Sequence, residues 1–505
     1  MRGLAPVLRR NPMINRLLNQ LLRYAHDHNL LEAADHDYAV NNALFLLGLD
    51  TFELEEIESP VDLFSTLEGI LDYARENGRI PDDSLAQRDN FEGKLMDCFL
   101  PRPSEINREF ARLQKESPQQ ATQWFYELSK ATNYIKTQRI AKNITYQYVG
   151  KYAPLDITIN LSKPEKDPKA IAAGKESAED GYPACALCME NVGYYGTAEK
   201  APRSNHRVAT LTLNGEWDGW GFQYSPYSYF NEHCIVLKRE HIPMKVDYDT
   251  FLELFDFIFQ FPHYLIGSNA GMPIVGGSIL SHYHFQGGRY DFPIEKAAVR
   301  KLIPKRHLLV QILDWPLSVI CVQGPNPRLV LDAVNRIFES WKTYTNEALG
   351  IFAETDGEQH NTITPILKYA DGDYRFYVVL RNNLSTPERP YGVFHPREEY
   401  FHVKKENIGL IEVMGLAVLP GRLSTELDLI KKCLVEGADP ESFPELKKHL
   451  PWIAELRGKA FDPATVDLFL RQETGAVFER VLEDCGVFKE KDTDAFAEFV
   501  ASALR

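Results

Sequence analysis

Cysteine is scarce and odd in number, seven in 505 residues. A chain held by a disulfide framework carries a denser, even set, so these are expected to be thiols or metal ligands in the reducing cytoplasm. No apolar run reaches the roughly 18 residues that a membrane-crossing helix needs. The basic opening MRGLAPVLRR has no apolar core region behind it and does not read as a secretory signal. Met13 begins a helical pattern, so residues 1–12 are a ragged leader or precede the true start. Positive charge is in deficit too, with 56 Lys and Arg against 71 Asp and Glu and a net charge of −15. That argues against a nucleic-acid or anionic-membrane surface and leaves room only for a local basic pocket.

What is present is ordinary globular composition, 44% hydrophobic and 25% charged, on a length that suggests several domains. Residues 13–140 carry helical stripes (Ile14, Leu17, Leu18, Leu21, Leu22 and Tyr24; then Val61–Tyr73 and Ala121–Tyr134) punctuated by Pro60, Pro81, Pro101 and Pro103. His26, His28 and His36 sit there among charges and read as a solvated face. From Asn143 the pattern turns extended, over Ile144–Val149 and Leu155–Asn160. A charged stretch, Lys163–Asp180, reads as a loop. The aromatic and β-branched run Val208–Leu237 follows, then one apolar helix over residues 249–265. Leu308–Val322 is strand-like, Arg328–Leu349 an amphipathic helix, and Tyr374–Leu380 alternates. Ile408–Leu419 fits a strand or a buried helix, and residues 424–505 return to helix. The expectation is an α+β chain divided at 1–140, 141–300, 301–423 and 424–505, the middle two segments similar in layout.

The chemistry concentrates in Gly276-Gly277-Ser278-Ile-Leu-Ser-His282-Tyr283-His284-Phe285-Gln286-Gly287-Gly288. Read as one strand, it puts His282, His284 and Gln286 in a row on one face and Tyr283 and Phe285 on the other. Gly276, Gly277 and Ser278 would bring backbone N–H groups close to a ligand, as phosphate-binding loops do. A neutral imidazole at His284 has a free lone pair with which to attack phosphorus. Gln286 could donate a hydrogen bond to a phosphoryl oxygen, but it cannot act as an acid, so the leaving group should need no proton. A pair of core histidines is the plain alternative. Upstream, Cys185-Ala-Leu-Cys188 has knuckle spacing, with His241 and His282 as candidates to complete a four-ligand structural zinc site. A redox pair and two buried thiols are the rivals.

Gly277-Ser278 followed by His282-x-His284-x-Gln286 resembles the active-site strand of galactose-1-phosphate uridylyltransferases. In this branch of the histidine-triad superfamily, glutamine stands in place of the third histidine. Glu232-His233-Cys234 through His241 is similar to the superfamily's upstream strand-and-histidine element. The chain's length, with His360–Pro365, Val378–Asn383 and Lys404–Pro420, resembles the second, bacterial type. The resemblance implies two histidine-triad-like sheet/helix units in tandem, flanked by helical regions. It implies transfer of UMP from UDP-glucose to galactose 1-phosphate through a uridylyl-histidine at His284. Gln286 and Asn269 would contact phosphate, Cys185, Cys188, His241 and His282 would bind zinc, and no redox cofactor is needed. Lys238, Arg239 and Arg381 are candidates to neutralise phosphate, and the helical flanks permit a homodimer. This chain has one more residue between Ser278 and the HxH than the first type of the family. His360, His395 and His402 do not reproduce the spacing of that type's second metal site. A histidine-triad hydrolase or phosphorylase, and a silent nucleotide-sugar-binding regulator, are the alternatives.

Overall fold

The computed structural model describes residues 12–162, 181–196, 204–277 and 279–505. The loop expected at Lys163–Asp180, the opening residues and Ser278 lie outside the described residues. Contacts divide the chain into two compact units. One comprises residues 1–137, 177–210 and 221–226, the other 138–176, 211–220 and 227–505.

In the first unit the expected helical stripes form helices, among them Pro12–Asp27, Leu63–Glu76, Pro103–Glu116 and Pro118–Ala131. The last shows why they start where they do. Pro118 occupies the first turn, where its missing N–H costs nothing, and the Ser117 side chain accepts from the Gln120 N–H. Its buried face, Ala121, Thr122, Phe125 and Leu128, carries an aromatic cluster. Phe110 and Phe125 meet edge to face at 5.7 Å, and Phe125 lies 5.6 Å from Tyr224.

The second unit holds most of the strands. β1 (Ile144–Tyr148) and β2 (Leu155–Asn160) form the extended pair expected there. β3 (Ala209–Leu213), β4 (Glu216–Tyr224) and β5 (Cys234–Lys238) follow, the first and second with residues grouped in the first unit. Next come β6 (Leu265–Gly267), β7 (His284–Gly288), β8 (Val299–Lys305), β9 (Leu308–Leu313) and β10 (Val319–Gly324). A small hairpin of β11 (Glu354–Thr355) and β12 (Glu358–Gln359) precedes β13 (Asn361–Ala370), β14 (Asp373–Asn382) and β15 (Leu416–Pro420). β3 to β10 with β13 and β14 make one ten-stranded sheet in the order β3-β4-β5-β7-β6-β13-β14-β10-β9-β8. β15 joins β2 in parallel in a three-stranded sheet.

The connectivity of the large sheet repeats. Three strands run inward (β3-β4-β5 or β8-β9-β10), a helix crosses, and two more strands return with the later one beside the third. The crossing helices are Tyr248–Gln260 and Pro327–Lys342. Each starts on a side-chain cap, Asp247 accepting from the Thr250 N–H at 3.0 Å and Asn326 from the Arg328 N–H at 3.0 Å. Phe251, Leu254, Phe255 and Ile258 on the first and Val330, Val334, Ile337 and Trp341 on the second are buried, the 3–4 spacing of a one-sided helix. The halves meet where Gly267 of β6 pairs with Ile366 of β13. β13 and β14 are joined by Asp371-Gly372, both with positive φ (55° and 85°), the tight turn that Asp-Gly favours because its twist matches the strands.

The helix expected over 249–265 is shorter, ending at Gln260, with Leu265–Gly267 already a strand. Pro262 lacks the N–H to continue the ladder and disfavours helical geometry at Phe261. The open reading of Ile408–Leu419 resolves into both forms, a short helix Leu410–Val413 and then β15. The expected terminal helical region comprises Arg422–Val435, Leu450–Arg457, Val466–Cys485 and Thr493–Ala503. Its interior holds a buried carboxylate, Glu426, which pairs with Arg422 at 2.6 Å, Lys448 at 2.6 Å and His449 at 2.9 Å.

Candidate active site

The site begins on β7, between β5 and β6. Leu237 of β5 pairs with His284, and Gln286 pairs with Ile235 on one side and Gly267 on the other. His284 is buried and Gln286 half-buried. On the opposite face Phe285 stacks on Trp220, ring centres 5.2 Å apart and planes 17° from parallel. Tyr283 donates its hydroxyl to Glu253 at 2.6 Å. Burial raises the Glu253 carboxyl to about 7, against the opposing hydrogen bond from Tyr283. Alternation therefore puts His284 and Gln286 on one face over a packed aromatic support.

The strand is shorter than the sequence suggests. Only His284–Gly288 is strand, and residues 279–283 form an irregular approach to it. The reason is local: the Tyr283 N–H donates to the Ile242 carbonyl at 2.7 Å and the Met244 N–H to the Leu280 carbonyl at 2.8 Å. The approach is thus tied to the segment after β5. His282 consequently stands outside the strand row that was expected to include it. Its Nε2–H donates to the Lys238 carbonyl at 2.7 Å, which leaves Nδ1 with the lone pair.

His284 has the reverse tautomer. Its Nδ1 lies 2.6 Å from the His282 carbonyl oxygen. A carbonyl only accepts, so the proton is on Nδ1 and Nε2 carries a bare lone pair. Burial is the main cause that lowers the ring's pKa to about 4, so the imidazole is neutral at pH 7. Gln286 is oriented from the side. His233, buried at the entry to β5, reaches Gln286 Oε1 with Nε2 at 3.0 Å. The Gln286 amide nitrogen is then left to donate elsewhere. The sequence reading gave His233 no role, although the cross-strand register makes it a diagonal neighbour of Gln286.

Gly276 and Gly277 are small for a nearer reason than a ligand. A Cβ on Gly276 would stand 2.4 Å from the Ala270 carbonyl oxygen, and one on Gly277 2.7 Å from Asn269 Nδ2. Asn269 leaves the sheet two residues past Gly267, the partner of Gln286. Its Oδ1 accepts from the Leu410 N–H at 2.8 Å, which turns the amide nitrogen toward Gly277. Among the basic candidates, Lys238 pairs with Glu216 at 2.8 Å and Arg239 donates to the Asp218 carbonyl at 3.0 Å. Arg381 is wholly buried on β14 and donates to the Ile408 carbonyl at 2.9 Å.

Cys185 and Cys188 form a tight turn. Cys188 Sγ accepts from the Cys185 N–H and Cys185 Sγ from the Leu187 N–H, each at 3.3 Å. Asn191 Nδ2 donates to both cysteine carbonyls at 2.8 Å. The sulfurs are 3.6 Å apart, near the roughly 3.8 Å edge of a tetrahedron with ~2.3 Å Zn–S bonds. The His241 and His282 rings are centred 4.7 Å apart. The donor atoms of Cys185, Cys188, His241 and His282 all lie within 4.8 Å of one another. Two thiols and two imidazoles so gathered could hold a metal ion, a donor set compatible with zinc.

Residues 29–243 match the family model "Galactose-1-phosphate uridyl transferase, N-terminal domain". The chain is 44% identical to the galactose-1-phosphate uridylyltransferase of Clostridium perfringens over 97% of its own length and 99% of that protein. It is 44% identical to the Bacillus subtilis enzyme over 96% of each, and 44% identical to that of Lactococcus lactis over 96% of this chain and 98% of that one. The chain belongs to the galactose-1-phosphate uridylyltransferase family. As a family member it carries His284 and Gln286 side by side on one strand face. No helix among its described residues is long and apolar enough to cross a membrane.

Proposed function

We propose that the chain is a nucleotidyltransferase that moves UMP from UDP-glucose to galactose 1-phosphate, giving UDP-galactose and glucose 1-phosphate. The observation that carries the chemistry is the His284 ring, its Nδ1–H committed to a backbone carbonyl and Nε2 bare, on the same face as the Gln286 amide. His284 Nε2 attacks the α-phosphorus of UDP-glucose. A P–N bond forms as the bond to the β-phosphate oxygen breaks, and glucose 1-phosphate leaves as an anion that needs no proton. A phosphate oxygen of galactose 1-phosphate then attacks the same phosphorus and releases the imidazole. The Gln286 amide, the Asn269 amide and the backbone N–H groups of Gly276 and Gly277 meet the negative charge on the phosphoryl oxygens. Each half-reaction exchanges one sugar-phosphate leaving group for another, so the equilibrium lies near balance.

Cys185, Cys188, His241 and His282 hold a zinc ion in this reading. With four protein ligands it supplies cross-linking rather than an open coordination position. Residues 141–300 form the catalytic unit and 301–423 a second unit of the same histidine-triad layout, between helical regions 1–140 and 424–505. The repeated strand order supports that division.

Initial rates with both substrates varied test the mechanism. Parallel double-reciprocal lines are expected, together with exchange of labelled glucose 1-phosphate into UDP-glucose without galactose 1-phosphate. Intersecting lines and no exchange would exclude a covalent uridylyl-enzyme.

A further inference from the structure

His233 is held in a manner that packing alone does not call for. Its ring packs against Phe230, ring centres 4.5 Å apart, and stacks on Tyr229 at 5.4 Å, and it is 2% exposed. A phenylalanine would fill that slot without a polar atom. Instead one ring nitrogen, Nε2, meets Gln286 Oε1 at 3.0 Å, while the other, Nδ1, is buried with no hydrogen-bond partner among the described residues. A core residue with an orphaned nitrogen is worse than an apolar one of the same shape, so the bond to Gln286 is what the histidine contributes.

The register explains how it reaches. Cys234 pairs with Gly287 and Ile235 with Gln286, so His233 falls opposite Gly288, on the face that carries His284 and Gln286. Gly288 presents no side chain there, and the imidazole can lean along the pleat to Gln286. An amide is symmetric in shape but not in chemistry. With Oε1 toward a phosphoryl oxygen it repels; with Nε2 toward it, it donates. Burial keeps the His233 ring neutral, lowering its pKa to about 4, and a neutral imidazole with Nε2–H selects Oε1 as its acceptor.

We infer that His233 is a positioning residue for the transfer. By donating Nε2–H to Gln286 Oε1 it fixes the carboxamide with its NH2 group presented to the transferred phosphoryl group. It acts through Gln286 and touches no substrate. The inference rests on the proposed transfer.

Single-turnover uridylylation by UDP-glucose, followed by intact mass in wild type, His233→Phe, His233→Gln, Gln286→Ala and the double variant His233→Phe/Gln286→Ala, tests it. Wild-type labelling checks the transferase reading by itself; its absence overturns that reading and this inference together. Given labelling, His233→Phe is expected to slow the labelling step about tenfold or more, with half-saturating UDP-glucose little changed and the melting temperature not lowered. His233→Gln, whose Nε2 stands near the place of the imidazole Nε2–H, should recover most of the rate. In the Gln286→Ala background the Phe substitution should do nothing further. A His233→Phe rate equal to wild type, multiplying effects in the double variant, or a loss in all His233 variants that tracks melting temperature alone would each overturn the inference.

Discussion

At the scale of single residues, the proposed chemistry turns on where two protons sit. His282 places its proton on Nε2, facing the Lys238 carbonyl, and His284 places its own on Nδ1, facing the His282 carbonyl. Neighbouring histidines of one motif thus have opposite tautomers, the proton on Nε2 in His282 and on Nδ1 in His284. In the proposed transfer, Gln286→Ala removes a donor that acts as charge builds on the phosphoryl oxygens. It should lower the uridylylation rate by about a hundredfold to a thousandfold at saturating UDP-glucose, measured by rapid quench. Gly276→Ala drives a Cβ to 2.4 Å from a backbone oxygen. It should destabilise the fold by roughly 1–3 kcal/mol in urea denaturation. That His284 and Gln286 share one strand face was legible from residue type and spacing, whereas His282 falls outside the strand. The contact of His233 with Gln286 was not legible, because it needs the register of β5 against β7.

At the scale of elements, composition marked the strands and helices better than their ends. The run from Gly276 to Gly288 reads as one strand, but its first part is bonded to residues 242–244 instead of a neighbouring ladder. That choice is made by partners forty residues away, which no local pattern records. The cysteine turn is the opposite case, since its spacing alone announced the sulfur geometry. Cys188→Ser should lower bound zinc, counted by elemental analysis of the purified protein, and should lower the melting temperature as well. Beneath β7, Glu253 is held protonated by burial, its pKa raised to about 7. The folded state therefore binds the proton more tightly than the unfolded chain. The stability this gives is present at low pH and falls as pH rises from about 4.5 toward 7. Glu253→Gln should flatten that decline in melting temperature measured across the window.

At the scale of the whole molecule, the layout of strand, helix and strand in two successive stretches was legible. Their union in a ten-stranded sheet through β6 and β13 was not, because edge pairing leaves no local mark on so short a strand as Leu265–Gly267. The helical region after β15 was foreseen from periodicity, but its buried charge was not. Glu426 is held low, to about 2, by hydrogen bonds from His449 and Lys448 that outweigh the opposing effect of its burial. Glu426→Ala would leave Arg422, Lys448 and His449 facing one another and should cost about 3–5 kcal/mol of stability by chemical denaturation. The net charge of −15 places no general attraction for phosphates on the surface, so affinity for anionic substrates has to come from the site itself.

The central claim is that His284 takes the uridylyl group. Intact-protein mass after incubation with UDP-glucose alone, wild type beside His284→Gly, tests it most directly. A uridylyl-sized gain in wild type only, discharged by galactose 1-phosphate to UDP-galactose, is the expected result. An adduct that persists in His284→Gly, or no adduct while UDP-glucose is consumed, would contradict it.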